Sequence, residues 1–535
     1  MTRSSYPRRR FLIQTGALGL GASFGLAACG SDDSGPDAPA VIVPDSARPK
    51  LPDGIQIGDA GNGRAIVWAR ADRVARMRVE YDTTDRFSNV RQVLGPTVSE
   101  ATDYTGRIEL TGLPAGETIF LRVAYDSIDN PSATGIVVPG HFRTSPRPDA
   151  SRPVRFVWGG DVAGQGWGIN PEFGGMKIYE AMRRREPDFF LHSGDTIYAD
   201  GPILAEVKAE GDRLWKNIVT PQVAKVAETL DEYRGRYRYN LMDENVRRFS
   251  AEVPQIWQWD DHEVTNNWSS SKDLSADTRY TEKNIDTLVA RATQAFREYA
   301  PMPLGSAGQE QTIYRKVSHG PLLDVFVLDM RSYRGPNTAN LQTAEGPETA
   351  FLGEAQIAWL IDGLKQSQAT WKIVAADMPI GLWVPDGKDA SGNSRWEAIA
   401  NGNDGEALGR ELEIARVLRG IKAVPNVVWL TADVHYCAAH YYDPAAARFT
   451  DFAPFWEFVA GPLNAGTFGP NALDSTFGPQ LVFQKAPPEG QSNLSPFSGY
   501  QFFGEVNIDP GTRALTVDLR DLDGVSQFSK TLAPA

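Results

Sequence analysis

The chain contains several short apolar runs that stop at acidic or imidazole side chains. Runs rich in valine, phenylalanine, tryptophan and leucine are typical of strands buried on both faces of a sheet. Because parallel strands end at a common edge, where α/β proteins bind ligands, the residues after these runs should lie together. We predict that four such groups meet at one rim: Asp161, Asp195, the trio Asp260, Asp261 and His262, and the pair Asp433 and His435.

Segments with helical periodicity separate these runs. Alternating strands and helices predict an α/β (α+β) domain in which helices cover both faces of a sheet. Near the C-terminal end, residues 499–532 alternate between apolar and polar and predict two closing antiparallel strands. Helices are predicted at residues 176–185, 230–249, 281–300, 353–368 and 406–421.

A different pattern occupies residues 48–146, where short β-branched and aromatic runs alternate with glycine, proline and aspartate. Residues 113–118 are similar to a turn of fibronectin type III domains, so we predict an Ig/fibronectin III-like β-sandwich of seven strands. We expect it to act as a spacer or lid beside a second domain at 153–535. Four of its strands are predicted at 65–69, 77–81, 107–110 and 119–125.

Residues 1–28 have the features of a twin-arginine export signal, since three consecutive arginines, Arg8 to Arg10, precede a weakly apolar run. The sequence Leu26-Ala27-Ala28-Cys29 resembles a bacterial lipobox; the alternative is a stray cysteine beside a cleavage site. Residues 29–47 predict a flexible linker. We therefore expect export by the twin-arginine machinery to the periplasm or cell surface, with a lipid anchor on Cys29 as the only membrane attachment.

Charge and cysteine content narrow the possible partners. The net charge of −13 argues against a platform for nucleic acid or for an anionic membrane. It still permits a small anionic substrate, because bound cations would reverse the local charge. Beyond Cys29 the only cysteine is Cys437, so we expect no internal disulfide.

The convergent carboxylates and histidines predict a metal site. Hydrolysis of a phosphate ester needs cations that neutralise phosphoryl oxygens and supply hydroxide near neutral pH, commonly two ions about 3.5–4 Å apart. Asp195, which follows Gly194, is the candidate bridging ligand, and Asp161 follows glycines in the same way. Asp433 and His435 should face one side of an extended segment and chelate one ion.

The densest polar cluster is the segment WDDHE with two asparagines close behind. Adjacent acidic groups repel one another unless cations are present, so we assign Asp261 to a metal. His262 receives a catalytic role, either protonating the leaving oxygen or stabilising charge on the transferred phosphoryl group. Asn267 is a candidate metal ligand or phosphate contact.

Other polar residues at strand ends leave alternatives open. Arg331 is a catalytic candidate that could bind phosphate through its guanidinium, or it could form a structural pair with Asp329. Asp377 is a candidate metal ligand or a residue that hydrogen-bonds a metal ligand. Cys437 and His440 receive no role.

Six motifs in this order resemble the PhoD-type alkaline phosphatases, the alkaline phosphatase D family, which is also similar to a group of metal-dependent phospholipases D. The N-terminal segments GIQIGD and IVWAR resemble that family's first domain, so the resemblance spans nearly all of the chain after the linker. The motifs are GDTIYADG, WQWDDHEVTNNW, LDMRSYR, LGEAQIAWL, WKIVAADMP and TADVH.

The resemblance implies a calcineurin-like metallophosphoesterase sandwich that hydrolyses phosphate mono- and diesters with ferric iron (Fe3+) and calcium (Ca2+). It implies that Tyr198 binds iron as tyrosinate, that Asp195 bridges the ions, and that Asp433 and His435 are ligands. Asp161 stands where many members of the family have a cysteine ligand. A harder oxygen ligand could admit Mn2+, Zn2+ or Ca2+ in place of iron.

Two alternatives to a phosphatase remain open at the level of sequence. The nearer one is a phospholipase D-type phosphodiesterase, whose specificity the insertions between ligand-bearing strands could decide. The other is a non-catalytic surface lipoprotein that binds carbohydrate or protein and uses its metals only for structure.

Overall fold

The structure is a computed structural model that describes the chain from residue 43 onward, with short gaps. The predicted export signal, the lipobox cysteine and most of the linker lie outside the described residues. Within the described part of the chain, no helix combines the length and apolar character that crossing a membrane requires. The described ranges are 43–306, 309–310, 312–389 and 391–535.

Seven strands near the N-terminus form two packed sheets. Alternation places Met77, Val79 and Tyr81 inside, while Arg78 and Glu80 between them are only partly buried. The hydroxyl of buried Tyr125 donates to the carbonyl of Ala69 at 2.9 Å and links the two sheets. The predicted N-terminal β-sandwich is confirmed. Its strands are β1 (Ile55–Gly61), β2 (Arg64–Arg70), β3 (Ala75–Asp82), β4 (Arg91–Val98), β5 (Thr105–Leu110), β6 (Thr118–Asp126) and β7 (Val138–Arg143).

The rest of the chain contributes nineteen further strands to the described structure. They are β8 (Val154–Gly159), β9 (Phe189–Ser193), β10 (Glu206–Lys208), β11 (Leu214–Lys216), β12 (Gln255–Gln258), β13 (Gly305–Ser306), β14 (Gln309–Glu310), β15 (Arg315–His319), β16 (Leu323–Val327), β17 (Trp371–Ala375), β18 (Pro385–Lys388), β19 (Ser394–Trp396), β20 (Val427–Thr431), β21 (Cys437–Tyr442), β22 (Phe455–Val459), β23 (Pro479–Lys485), β24 (Phe502–Ile508), β25 (Leu515–Asp521) and β26 (Ser526–Leu532).

Most of these strands form two large sheets that pack face to face. One sheet has the order β26-β25-β24-β8-β9-β12-β1-β2-β5, and the other has the order β15-β16-β17-β20-β22-β21-β23. Apolar side chains from both sheets, such as Phe156 and Leu191 from one and Ile373 and Val428 from the other, form a shared core. Three strands, rather than the expected two, close the C-terminal end.

The N-terminal sandwich shares a sheet with the following region. Strand β1 pairs in parallel with β12 through Gly58 and Gln255, so β1, β2 and β5 extend the larger sheet. Trp68 Nε1 donates to the carbonyl of Glu298 at 2.7 Å across the same junction. The N-terminal sandwich therefore does more than lie beside the second domain, because three of its strands are part of a continuous sheet.

Helices lie on the two outer faces and complete the sandwich. Helices α1 to α4 contribute to the core on the outer face of the first sheet, and α5 and α6 to the core outside the second. The helix predicted at 230–249 is broken, because Asp243 accepts the N–H groups of Asn245 and Val246 and starts a new helix. The helices are α1 (Lys177–Arg183), α2 (Leu230–Asn240), α3 (Glu244–Glu252), α4 (Ile285–Tyr299), α5 (Glu354–Gln366) and α6 (Glu411–Gly420).

Candidate metal centre

The loops after four strands bring the predicted site residues together. Strands β8, β9 and β12 are neighbours in one sheet and precede Asp161, Asp195 and Asp261, while β20 of the facing sheet precedes Asp433. Nearby oxygen and nitrogen atoms form three groups that could each hold a cation, within which the atoms lie no more than 4.8 Å apart. The groups are Asp161, Asp195 and His435; Asp195, Asp261 and His262; and Asp260, Asp261 and Asp433.

Five of the predicted ligands have left-handed backbone conformations, which non-glycine residues seldom adopt. Their φ angles are 67° at Asp161, 49° at Asp195, 53° at Asn267, 67° at Asp433 and 61° at His435. Such backbone strain clusters at functional sites, where the surrounding structure holds it in place. The extended conformation predicted for the last two residues is wrong, although the structure still brings both side chains to the site.

Tyr198 completes the first group. Its hydroxyl lies 2.8 Å from Nε2 of His435, and that nitrogen lies 3.7 Å from Oδ1 of Asp161. The other ring nitrogen of His435 contacts the carbonyl oxygen of Gly466, which fixes the ring and directs Nε2 at the group. Asp161 fits only because residue 461 is glycine: a Cβ there would lie 2.3 Å from Asp161 Oδ2.

Asp261 and Asn267 form the other side of the centre. The backbone N–H of Asn267 donates to the Asp261 carboxylate, which fixes one of the two aspartate oxygens. Asp261 Oδ1, like Asp161 Oδ2, is buried and makes no hydrogen bond within the described structure. Buried carboxylate oxygens without a donor are costly, and a cation would satisfy them.

Burial also makes this collection of carboxylates hard to ionise. It raises the pKa of Asp161 to about 8 and the pKa values of Asp195 and Asp433 well above the usual range, and neighbouring carboxylates add to the effect. Cations would reverse this preference, because they stabilise the charged forms. The unpaired oxygens and the mixture of carboxylate, phenol and imidazole donors therefore fit metal ions.

His262 forms a second polar unit beside the centre. Its Nδ1 lies 2.6 Å from Oδ1 of Asp200, and its ring packs 4.2 Å from the ring of Tyr198. Burial disfavours the imidazolium, but the charges of Asp200 and Asp261 outweigh it and raise the pKa of His262 well above its usual value. Sequence reasoning gave Asp200 no role; its position five residues after Asp195 in GDTIYAD was the available signal.

Glu263 is a further residue that sequence reasoning left without a role. Its carboxylate accepts hydrogen bonds from the backbone N–H groups of Asp195, Thr196 and Asp260 at 3.1, 2.6 and 2.7 Å. It thereby joins the loop after β9 to the loop after β12. A carboxylate with backbone donors stiffens both loops and holds Asp195 in its strained conformation.

Arg331 lies behind the centre rather than in the cavity. Its guanidinium is fully buried and contacts Asp260 at 2.6 Å, Asp377 at 3.4 Å and the Glu397 carboxylate. Asp329 instead accepts from the indole of Trp259 and from the backbone N–H of Arg331, and among the described contacts it does not pair with the Arg331 guanidinium. Arg331 does not line the cavity above the centre, and its guanidinium pairs with carboxylates other than Asp329.

His440 and Cys437 lie in strand β21, outside the site. Nδ1 of His440 is 3.2 Å from the carboxylate of Glu457, which also accepts from the Tyr442 hydroxyl. Cys437 is buried, and its nearest polar partner is the carbonyl of Lys485. Both residues are part of the packed interior.

A cavity of about 800 Å³ opens above the metal centre. Its volume lies in the range of about 300–1,000 Å³ that is typical of sites for small organic ligands. Asp161 does not line it and lies below its floor. The predicted site residues that do line it are Asp195, Tyr198, Asp261, His262, Asn267, Asp433 and His435.

The two-sheet sandwich with an acidic and imidazole rim is of the metallophosphoesterase-like class. Residues 156–519 match the family described as PhoD-like phosphatase, and residues 37–146 match its N-terminal domain. The chain belongs to the PhoD-like phosphatase family. The resemblance to alkaline phosphatase D seen in the six sequence motifs is thereby confirmed.

Individual relatives agree with this assignment. Alkaline phosphatase D of Bacillus subtilis (strain 168) is 31% identical over 279 residues, which are 49% of this chain and 44% of that protein. The match therefore spans less than half of that relative. A solved structure of PhoD has a TM-score of 0.65 at 20% identity and covers 90% of this chain and 89% of its own. Purple acid phosphatase PPD1 from yellow lupin (Lupinus luteus) seeds has a TM-score of 0.55 at 12% identity, covering 91% of this chain and 74% of its own.

Proposed function

We propose that this protein hydrolyses phosphate mono- and/or diesters of extracytoplasmic substrates and releases inorganic phosphate. The feature that best supports the proposal is the group of buried carboxylates with unpaired oxygens at the floor of a cavity large enough for an ester. Membership of the PhoD-like phosphatase family supports the same reaction.

Seven residues would hold the metal ions. Asp195 belongs to one group of donor atoms with Asp161 and His435 and to another with Asp261 and His262, which supports its role as the ligand that bridges two ions. The other proposed ligands are Tyr198, Asn267 and Asp433. Bound cations would neutralise the phosphoryl oxygens and make hydroxide available near neutral pH.

The metals we propose are Fe3+ and Ca2+, with Mn2+ or Zn2+ as alternatives at the position of Asp161. Fe3+ and Ca2+ come from the family resemblance. The alternatives follow from the donor set, since Asp161 offers a hard oxygen in place of a thiolate. Elemental analysis of protein purified after export would identify the ions.

His262 is the proposed proton donor. Asp200 holds its Nδ1 and favours the imidazolium, so the other ring nitrogen can protonate the leaving oxygen. Asp200 is then a positioning residue that fixes the ring and its proton. For Arg331 we propose a supporting role, in which its buried guanidinium compensates Asp260 and keeps the acidic cluster in place.

We also propose that the enzyme acts outside the cytoplasm. The residues that support this are the arginines of the predicted twin-arginine signal and the lipobox at Cys29. A lipid on Cys29 would tether the catalytic region through the linker at 29–47. Cells that produce the wild type or the Cys29→Ala variant would be labelled with a lipid precursor. A lipid anchor predicts that the wild type is labelled and that the variant is not.

Asp195→Asn tests the hydrolase against the non-catalytic alternative. Loss of the bridging carboxylate should reduce hydrolysis by more than about 100-fold. Substitution of a residue that only hydrogen-bonds a metal ligand already lowers metal affinity or activity by about 10–100-fold. A chromogenic monoester assay, with circular dichroism to show that the variant is folded, would measure this. Absence of any metal-dependent hydrolysis by the wild type would instead favour a surface protein that only binds its partner.

A comparison of a chromogenic monoester with the corresponding diester would separate the two phosphoesterase alternatives. The cavity is several times larger than a phosphate group needs, so it can accept esters with one or two organic substituents. A strong preference for the diester would favour phosphodiesterase activity of the phospholipase D type.

A further inference from the structure

The hairpin formed by β18 and β19 contacts a residue of the metal centre. Nδ2 of Asn267 donates to Oδ1 of Asp386 at 3.1 Å and approaches the carbonyl of Pro385 at 3.4 Å. Asp386 is half-buried and does not line the cavity. It therefore approaches Asn267 from outside the site.

A second asparagine fixes Asp386 in this position. Nδ2 of Asn337, which is 4% exposed, donates to Oδ2 of Asp386 at 2.9 Å and to the carbonyl of Asn267 at 3.1 Å. Oδ1 of Asn337 accepts from the guanidinium groups of Arg410 and Arg334 at 2.7 and 3.1 Å. The amide of Asn337 is thus fully oriented, and it presents its NH2 group to Asp386.

These contacts determine which end of the Asn267 amide is available. A carboxylate only accepts hydrogen bonds, so it selects the NH2 end of the amide and leaves the oxygen for another partner. Among the described residues no hydrogen bond goes to Oδ1 of Asn267. The backbone of the same residue is fixed separately, because its N–H donates to Asp261.

We infer that Asp386 is a positioning residue for the metal centre: it orients Asn267 so that the amide presents oxygen, rather than NH2, to a bound cation. This inference rests on the proposed function, in which Asn267 is a ligand. With Asp261 and Asp433, the amide oxygen makes an all-oxygen set suited to a hard divalent cation such as Ca2+ or Mn2+. Without Asp386 the amide can rotate and present its NH2 group, which cannot bind a cation.

The test measures cation retention rather than activity. Holoenzyme would be dialysed against chelator-buffered series of Ca2+ or Mn2+, and the retained metal would be measured by elemental analysis. Asp386→Ala should raise the free-cation concentration at half-retention by about 10–100-fold, as is typical of residues that orient metal ligands. Asp389→Ala is the matched control, because the Asp389 carboxylate accepts from Ser391 and Asn393 of the hairpin itself and does not contact Asn267 among the described hydrogen bonds.

A second variant shows whether Asp386 acts by orienting the Asn267 amide or only by supporting the hairpin. In Asn267→Asp the side chain offers oxygen whichever way it turns, so Asp386→Ala should no longer weaken cation retention. Equal weakening in both backgrounds would show that Asp386 only supports the hairpin, and it would overturn the inference. Wild-type retention in Asp386→Ala would overturn it as well.

Asn267→Ala distinguishes failure of the inference from failure of the proposed function. This variant should lose the same cation as Asp386→Ala, or lose it more completely. If Asn267→Ala retains all metal, Asn267 is not a ligand and the inference fails with it. The hydrolase proposal would still be tested separately, by the activity of Asp195→Asn.

Discussion

The position of Asp161 shows how closely the side chains of the candidate metal centre fit the residues packed around them. Its carboxylate lies against Gly461, which leaves the space into which one of the carboxylate oxygens extends. The sequence alone predicted Asp161 as a ligand because a strand-like run and two glycines precede it. The contribution of Gly461, three hundred residues later in the chain, could not be predicted, because it depends on how the two sheets face each other.

Residue-scale prediction was best where a residue follows a strand directly. Asp195, Asp261 and Asp433 lie as expected at one rim because strand direction fixes where each loop emerges. Arg331 follows a strand in the same way, yet it points into the acidic interior. The local sequence does not encode that difference, since the buried partner Glu397 comes from a distant segment.

Asp200→Asn should separate the role of the aspartate from that of the metals. The variant keeps its shape but loses the charge that favours the imidazolium of His262, so kcat should fall by about 10²–10⁴-fold while metal content is unchanged. Because Asp200 raises the pKa of His262, the alkaline limb of the pH–rate profile should move to lower pH. Asp273→Asn, an exposed change outside the cavity, is the control; an unaltered profile in Asp200→Asn would contradict the assigned role.

At the scale of elements, periodicity located the α-helices of the described residues but not their ends. The pattern at 230–249 continues through Met242 and Asp243, yet the structure breaks there into α2 and α3. Asp243 accepts from the N–H of Met176 as well as from the first turn of α3. Such a tertiary contact is invisible in a window of neighbouring residues.

Helix α6 begins with a buried acid that should make stability depend on pH. Glu411 is fully buried and accepts from the Leu408 N–H and the Asn401 amide, and burial raises its pKa to about 9. Between its usual pKa of 4.5 and this value the folded protein holds a proton that the unfolded chain releases. Stability should therefore fall as the pH rises, by up to about 1.4 kcal/mol per pH unit.

Glu411→Gln removes this ionisation while keeping the side-chain shape. At pH 8 the unfolding free energy of the variant should exceed that of the wild type by a few kcal/mol, following the slope of about 1.4 kcal/mol per pH unit. Near pH 4.5 the two unfolding free energies should be equal. Urea unfolding at the two pH values would measure the difference. Exposed Glu406→Gln provides the control, and a gain that is equal at both pH values would be inconsistent with a buried acid.

For the whole molecule, the shared sheet makes the N-terminal sandwich a structural part of the catalytic region. The sequence predicted one domain at 48–146 and a second at 153–535. Pairing of β1 with β12 joins the two regions across that boundary, and Arg107 donates to the carbonyls of Ala300 and Met302 at 3.0 and 2.9 Å. Pairing between distant strands is a property of the folded chain that local sequence patterns do not reveal.

A chain restricted to residues 153–535 should therefore aggregate. Removal of β1 exposes the edge of β12 and the apolar surface around Tyr299, and unpaired edges promote association. Residues 43–535 should be monodisperse and unfold in one calorimetric transition. A soluble 153–535 fragment with near-native stability, assayed by gel filtration and calorimetry, would show that the junction contributes little.

The position of β24 has a consequence for biogenesis. This strand pairs with β8, so that edge of β8 in the nine-stranded sheet stays unpaired until residue 508 has been synthesised. The interior between the two large sheets cannot close before β24 is available, and pairing between such distant segments is slow. Chaperones that protect the open edge of β8 during synthesis should therefore raise the yield of active protein.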